Sequence, residues 1–379
     1  MTRGERIRGY GYSFTAEEVR WIQERLAELL LTGAHLTMGR YGEELEEQVA
    51  ALTGSAHAVA VASGTAALEA ILRAVDVAGA EVVVPTNTFG ATAVAALRAG
   101  ATVVLADADD TLGVDVADVA SRITPRTRAV ITVHIGGRIA DSIRELSQLC
   151  ERNGIALIED CAHALGSAWH GQPAGAFGIA GAFSLFATKV LTSGEGGMVV
   201  TSDPSIAETT RLLRDHAKRA DGTMEVTGYN WRLSEAQALL ALAQVRALPR
   251  LLEARRVVTG VYDSRLTALG GVRAPTPRPH SVDNGYKYPV FTQSHDLEKL
   301  GSLLAGYYGI DLGGTVYRTP LHEQPAFKRY AQGGYPGAAA WCPAHFCPPS
   351  HPLMTEADAH RVMDALAEAL PQVKAEAWQ

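Results

Sequence analysis

The sequence predicts an α/β protein: a large domain built on a mostly parallel, seven-stranded sheet, then a smaller α+β domain at the C-terminal end. Three observations carry this. Seven short apolar runs rich in β-branched residues lie between residues 57 and 202. Most of them are separated by segments with apolar residues at helical spacing. After about residue 245 this alternation stops. Continuous apolar strands alternating with helices belong to a parallel sheet covered on both faces. The expected division is 1–245 for the large domain and 246–379 for the small one.

The expected strands are HAVAVAS (57–63), EVVVPT (81–86), TVVLAD (102–107), RAVITVHI (128–135), IALIED (155–160), AGAFSLF (180–186) and GMVVTS (197–202). The helices between them are TAALEAILRAV (65–75), FGATAVAALRAG (89–100), VADVASRI (116–123) and SIRELSQLCERNG (142–154). A short Gly-rich connection, not a helix, joins the last two strands, which predicts an antiparallel edge or hairpin there. A long helix is expected over 248–270, a loop over APTPRPH (274–280), a strand over 287–294 and a helix over 296–309. The last helix is expected over 355–370, with Thr355 as its N-cap.

Composition narrows the function. Of 379 residues, 47% are hydrophobic and 20% charged, an ordinary globular balance. The net charge is 34 − 41 = −7, which excludes the basic footprint of a general nucleic-acid binder. Four cysteines make no disulfide framework, and Cys150 and Cys161 sit in apolar runs, as reduced buried thiols do. The start, MTRGERIRGYGYSF, has no apolar stretch behind its arginines, and no window of 18 apolar residues exists. The expected setting is the cytoplasm, with neither membrane nor nucleic acid as partner.

Three places can carry chemistry. SGTAAL (63–68) opens a helix after a strand, so backbone N–H groups converge at Ser63, Gly64 and Thr65. Such an end binds phosphate, or is simply an N-cap with a turn glycine. In LIEDCAHALGS (157–167), Glu159 and Asp160 end an apolar strand, where open α/β sheets bind ligands and where helices are also capped. Lys189 follows a buried strand beside GEGG (194–197). Desolvation makes such an amine a nucleophile toward carbonyls; in water it is only a snorkelling lysine. Together, a phosphate cradle, a strand-end carboxylate and a strand-end lysine are what pyridoxal 5'-phosphate requires. Asp160 and Lys189 stand 189 − 160 = 29 residues apart, a spacing that suits neighbouring strand ends.

The chain also resembles the DegT/DnrJ/EryC1/StrS sugar aminotransferases, fold-type-I enzymes of pyridoxal phosphate. The resemblance runs through LTMGRYGEELEEQVAALTG (36–54), AVASGTAAL (60–68), VVVPTNTFGATA (82–93), VHIGGRIAD (133–141), IEDCAHALGS (158–167), FSLFATKVLTSGEGGMV (183–199), GYNWRLSEAQA (228–238) and TPLHEQPAF (319–327). It implies that Lys189 forms the Schiff base and carries protons, that Asp160 partners the pyridinium nitrogen, and that His163 lies near the ring. It implies that Phe89 stacks on the ring and that Ser63, Gly64, Thr65 and Ser184 hold the phosphate. Asn230 would reach the phosphate of the neighbouring subunit in a homodimer with a shared active site.

The activity so implied takes an amino group from L-glutamate or L-glutamine, through the pyridoxamine 5'-phosphate form, to the ketone of a nucleotide-linked keto-sugar, in amino-sugar or natural-product biosynthesis. A cyclitol or other non-nucleotide ketone is the alternative acceptor. A sugar-dehydrating branch has histidine in place of the lysine, and a regulatory relative would lack Lys189 or Asp160; both residues are present here. Arg138 departs from the family pattern, as an anion-binding residue or a solvated loop arginine. Val190 stands where asparagine is common. Cys342, His345, Cys347 and His351 have irregular, proline-broken spacing and are expected in a covering loop, not around a metal. The loops around GYGYSF and around Tyr317, Arg318 and His322 are polar enough to line an acceptor pocket.

Overall fold

A computed structural model describes residues 5–219 and 221–374. The outermost residues of both expected domains, including the first four of the N-terminal stretch, lie outside the described residues. Helix α1 (Ala16–Leu31) starts in a reciprocal cap, Thr15 with Glu18. Helix α2 (Arg40–Thr53) stops at Gly54, whose φ of 64° ends it in the left-handed region.

The sheet region follows in strict alternation: β1 (His57–Val61), α3 (Gly64–Ala74), β2 (Glu81–Pro85), α4 (Gly90–Arg98), β3 (Thr102–Ala106), α5 (Val116–Arg122), β4 (Thr127–Val133), α6 (Ile143–Asn153) and β5 (Ala156–Asp160). After a small excursion, β6 (Ala168–Trp169) and β7 (Gln172–Pro173), come β8 (Ala180–Ser184), β9 (Gly197–Thr201) and α7 (Pro204–Arg214).

All seven expected strands join one sheet in the order β1-β9-β8-β5-β4-β2-β3. β9 runs antiparallel to both its neighbours, and every other pair is parallel. The expected hairpin is there, but β9 is not an edge strand. β1 covers its outer side, pairing His57 with Thr201 through Val61 with Gly197. Because β9 reverses direction twice over, β1 points the same way as β8 and β5. The C-terminal ends of all three therefore meet along one rim.

Strand alternation sorts the core into two layers. Val59, Val61, Val82, Val84, Ile131 and Ile158 face α3, α4 and α7. Ala58, Ala60, Val83, Val130, Leu157 and Val200 face α2, α6 and the start of α8 (Glu235–Arg265). At 31 residues α8 spans about 45 Å. It begins 13 residues before the expected start, 248 − 235, and the position 245/246 lies inside it. Its signal was readable: Ser234 and Gln237 form an S-x-x-Q capping box. Pro249, inside the helix, is what makes the stretch before it look like a separate element.

The C-terminal part packs β11 (Val290–Phe291) antiparallel to β12 (His345–Phe346), while β10 (Ser281–Val282) adds to β6. The expected strand over 287–294 shrinks to those two residues. The helix over 296–309 is α9 (Leu297–Leu303), continued by a wider turn over Leu304–Tyr308. The segment expected as a covering loop contains the end of α10 (Pro336–Trp341) and β12. Helix α11 (Glu356–Ala369) is capped by Thr355, as expected. Val258, Tyr262, Tyr288, Leu300, Phe346 and Leu366 form its core.

Candidate active site

The two acids at the end of β5 have opposite fates because successive strand residues face opposite sides. Glu159 points with Leu157 toward α6 and is fully buried. It accepts the amides of Gly175, Phe177 and Gly178 at 2.8, 2.6 and 2.7 Å, and pairs with His134 Nε2 at 2.8 Å. His134 Nδ1 accepts the Ala140 amide at 3.2 Å, so the Nε2 proton goes to Glu159. His134, Glu159 and Cys161 come within metal-binding reach of one another, but the first two are already fully engaged. Glu159 therefore pins the turn before β8.

Asp160 points with Ile158 toward α3 and α4. Thr92 Oγ1, on α4, donates to its Oδ2 at 2.8 Å, and the Ala162 amide donates to Oδ1 at 3.1 Å. Thr88 and Thr92 hydroxyls stand 2.6 Å apart behind it. Burial pushes the carboxyl pKa up, against the hydrogen bonds of Thr92 and Ala162 and the charge of Lys189.

Asp160 and Lys189 open onto one cavity of about 440 Å³. Lys189 follows β8 in a turn closed by its own amide on Phe186 O, and its Nζ lies 5.0 Å from the centre of the Tyr286 ring. Burial lowers its pKa to about 8, and Asp160 opposes this. Ser63, Gly64, Thr65 and Ser184 line the same cavity. Ser63 is also an N-cap, its hydroxyl accepting the Ala66 amide at 3.1 Å. The Gly64 and Thr65 amides have no acceptor among the described residues. Close approach builds this corner: a Cβ on Gly197 would lie 2.3 Å from the Ser63 carbonyl carbon.

Phe89 is at the cavity wall with 63% of its surface exposed, so it is no core residue. His163 is buried there too. Its Nδ1 accepts the Gly136 amide at 3.3 Å and its Nε2 faces the Tyr317 hydroxyl at 3.0 Å. Burial, with Lys189 and Lys287 nearby, holds its pKa well below the usual range, so the ring is neutral. Eight of the nine expected site residues thus share one cavity. Asn230 does not: it is exposed and bridges to Asp215.

Other expectations resolve differently. Arg138 lies outside the cavity, paired with Asp141 at 3.1 Å and Asp283 at 3.6 Å. Cys342 and Cys347 are buried in the core. His345 Nε2 accepts the Val316 amide at 2.8 Å, and His351 Nε2 bonds Arg8 O at 3.0 Å. Thr92, Tyr286, Glu195 and Lys287 were missed. Thr92 had a signal: in GATAVAALR it is the one polar side chain before the terminal arginine.

Residues 17–367 match the sequence profile of the DegT/DnrJ/EryC1/StrS aminotransferase family. The chain is 35% identical over 345 residues to the UDP-N-acetyl-3-dehydro-alpha-D-glucosamine 3-aminotransferase of Acidithiobacillus ferrooxidans, covering 90% of this chain and 92% of that protein. It is 33% identical to GDP-perosamine synthase of Caulobacter vibrioides, over 88% of this chain and 91% of that one. The structure of S. venezuelae DesV in complex with a ketimine intermediate superimposes with a TM-score of 0.90 at 33% identity, covering 96% and 98% of the two chains. A capped helix start, a buried acid and a lysine of lowered pKa on this fold agree with those likenesses: the chain belongs to the DegT/DnrJ/EryC1/StrS aminotransferase family, whose enzymes depend on pyridoxal 5'-phosphate.

Proposed function

We propose that this aminotransferase moves an amino group from L-glutamate or L-glutamine to the ketone of a nucleotide-linked sugar. The observation that carries it is the single cavity onto which Lys189, Asp160 and the α3 N-terminus all open. The relatives supply the acceptor class: one acts on a UDP-linked dehydro-sugar, and another makes GDP-perosamine.

The residues fit the cofactor. The cavity falls in the size range of small-ligand sites. The free Gly64 and Thr65 amides and the helix dipole suit a phosphate dianion, with the Ser184 hydroxyl beside them. Phe89 offers an exposed aromatic face to a ring. Asp160, held by Thr92, is a fixed anion for a protonated ring nitrogen. Neutral His163 and Tyr317 bound the cavity near Asp160. When bound, the cofactor supplies an electron sink for the carbanion formed at the substrate carbon.

Lys189 does the proton work. With a pKa of about 8, a useful fraction of its amine is neutral near physiological pH. It takes the proton from the donor's α-carbon, and in the second half-reaction returns one to the former ketone carbon. Asn230, exposed and away from its own cavity, is assigned to the cavity of a second copy in a homodimer. Among the described residues no helix is long and apolar enough to cross a membrane, and the four free, buried cysteines support the expected cytoplasmic setting.

Lys189→Ala tests the reading. Turnover of a nucleotide-linked keto-sugar with glutamate should vanish, while equilibrium dialysis still finds the cofactor bound. Transamination at the wild-type rate in this variant would refute it.

A further inference from the structure

A groove of about 640 Å³ continues outward from the cavity, sharing Phe89, Thr315 and Tyr317 with it. Its lining is neutral except for one residue, Arg318. Arg318 is exposed, and among the described residues its guanidinium has neither a hydrogen bond nor an ion pair. Arg329, further along the same stretch, bonds Tyr330, and the Glu323 carboxylate faces His322. An arginine left free at the mouth of a site is a planar, five-donor fork that matches phosphate two bonds at a time.

Its place in the chain sets how far out it acts. Tyr317, the residue before it, reaches inward to His163 in the cavity wall. Arg318 is therefore one residue outside the wall. A sugar whose ketone met Lys189 would have this groove, joined to the cavity through Phe89, Thr315 and Tyr317, as a path outward for the group it carries.

We propose that Arg318 is a specificity-determining residue that binds the phosphates joining the acceptor sugar to its nucleotide, and so selects an anionic acceptor over a neutral keto-sugar or cyclitol. This rests on the aminotransferase reading above and deepens it. The alternative anion, the carboxylate of the amino donor, would be recognised in the other half-reaction, so the two are separable.

The test uses the cofactor-loaded enzyme and Arg318→Gln, with Arg329→Gln as a charge-matched control. The pyridoxamine form is mixed with nucleotide-linked keto-sugars and with neutral keto-sugars and cyclitol ketones, and return of the pyridoxal spectrum is followed. The glutamate half-reaction is run separately. Arg318→Gln should slow the linked acceptor roughly ten- to a hundredfold in kcat/KM, the scale of a charge-assisted bond. It should leave the glutamate half-reaction and any neutral acceptor unchanged, and the gap should narrow at high salt. Calorimetry with UDP, TDP and GDP should show a matching loss of affinity. No loss for the linked acceptor, an equal loss for neutral acceptors, or a loss confined to glutamate overturns the proposal and leaves the aminotransferase reading standing. If no keto-sugar, linked or free, restores the spectrum of the wild type, that reading falls and this inference with it.

Discussion

Lys189 should make the cofactor-free protein less stable than it could be, and replacing it should show by how much. The amine has a pKa of about 8 in the fold against an ordinary 10.5. Between these values the unfolded chain holds a proton that the folded chain has released, so stability rises with pH across that window. Below about pH 8 both states are protonated and the fold carries the full cost. The gap of 10.5 − 8 = 2.5 pH units is worth up to about 3 kcal/mol at about 1.4 kcal/mol per unit. The residue is partly exposed, so solvent trims this toward about 2 kcal/mol. The pull of Asp160 is already in that balance. Lys189→Met keeps the volume and removes the charge. Urea unfolding of the cofactor-free variant should show it more stable than wild type by about 2 kcal/mol at pH 7 and by less than about 1 kcal/mol at pH 10. An advantage of the same size at both pH values would show that the amine is not desolvated.

Three further outcomes follow from the contacts around the cavity. Thr92→Val removes a donor from the Asp160 carboxylate, whose pKa then rises; the acid limb of the kcat profile should move to higher pH and turnover should fall about tenfold, roughly 1–1.5 kcal/mol. Phe89→Leu should leave thermal stability within about 0.5 kcal/mol, because the ring is exposed, while equilibrium dialysis finds cofactor affinity reduced about threefold to tenfold. Glu159→Gln leaves three backbone amides and His134 without their anion, and should cost about 3 kcal/mol in denaturant unfolding.

The sheet was legible because its strands are unbroken apolar runs, and the period-two pattern even assigns Glu159 and Asp160 to opposite faces. The lysine, the acid and the capped helix start were legible because each ends such a run. What was not legible is what long-range pairing decides. The position of β9 inside the sheet depends on β1, far away in sequence. Tyr286 and Glu195 come from loops with no periodicity, Lys287 starts the stretch read as a strand, and only the packed structure brings them to the cavity. The Cys/His segment misleads at the level of composition: its histidines each meet a backbone group, and its thiols are core. Asn230 carries no local sign of the role its block implies: within its own chain it is exposed and bridges to Asp215.

The pairing of β1 with β9 has a consequence for synthesis. His57 meets Thr201, a separation of 201 − 57 = 144 residues. As the chain leaves the ribosome, β1 and the helix start at Ser63 emerge early but find no partner strand until β9 follows. A nascent chain stalled before that point has the Ser63 helix start, proposed above to hold the phosphate, without the Gly197 backbone it packs against. On that assignment, vitamin capture waits until more than half of the polypeptide is made, and a product cut short of β9 lacks this corner.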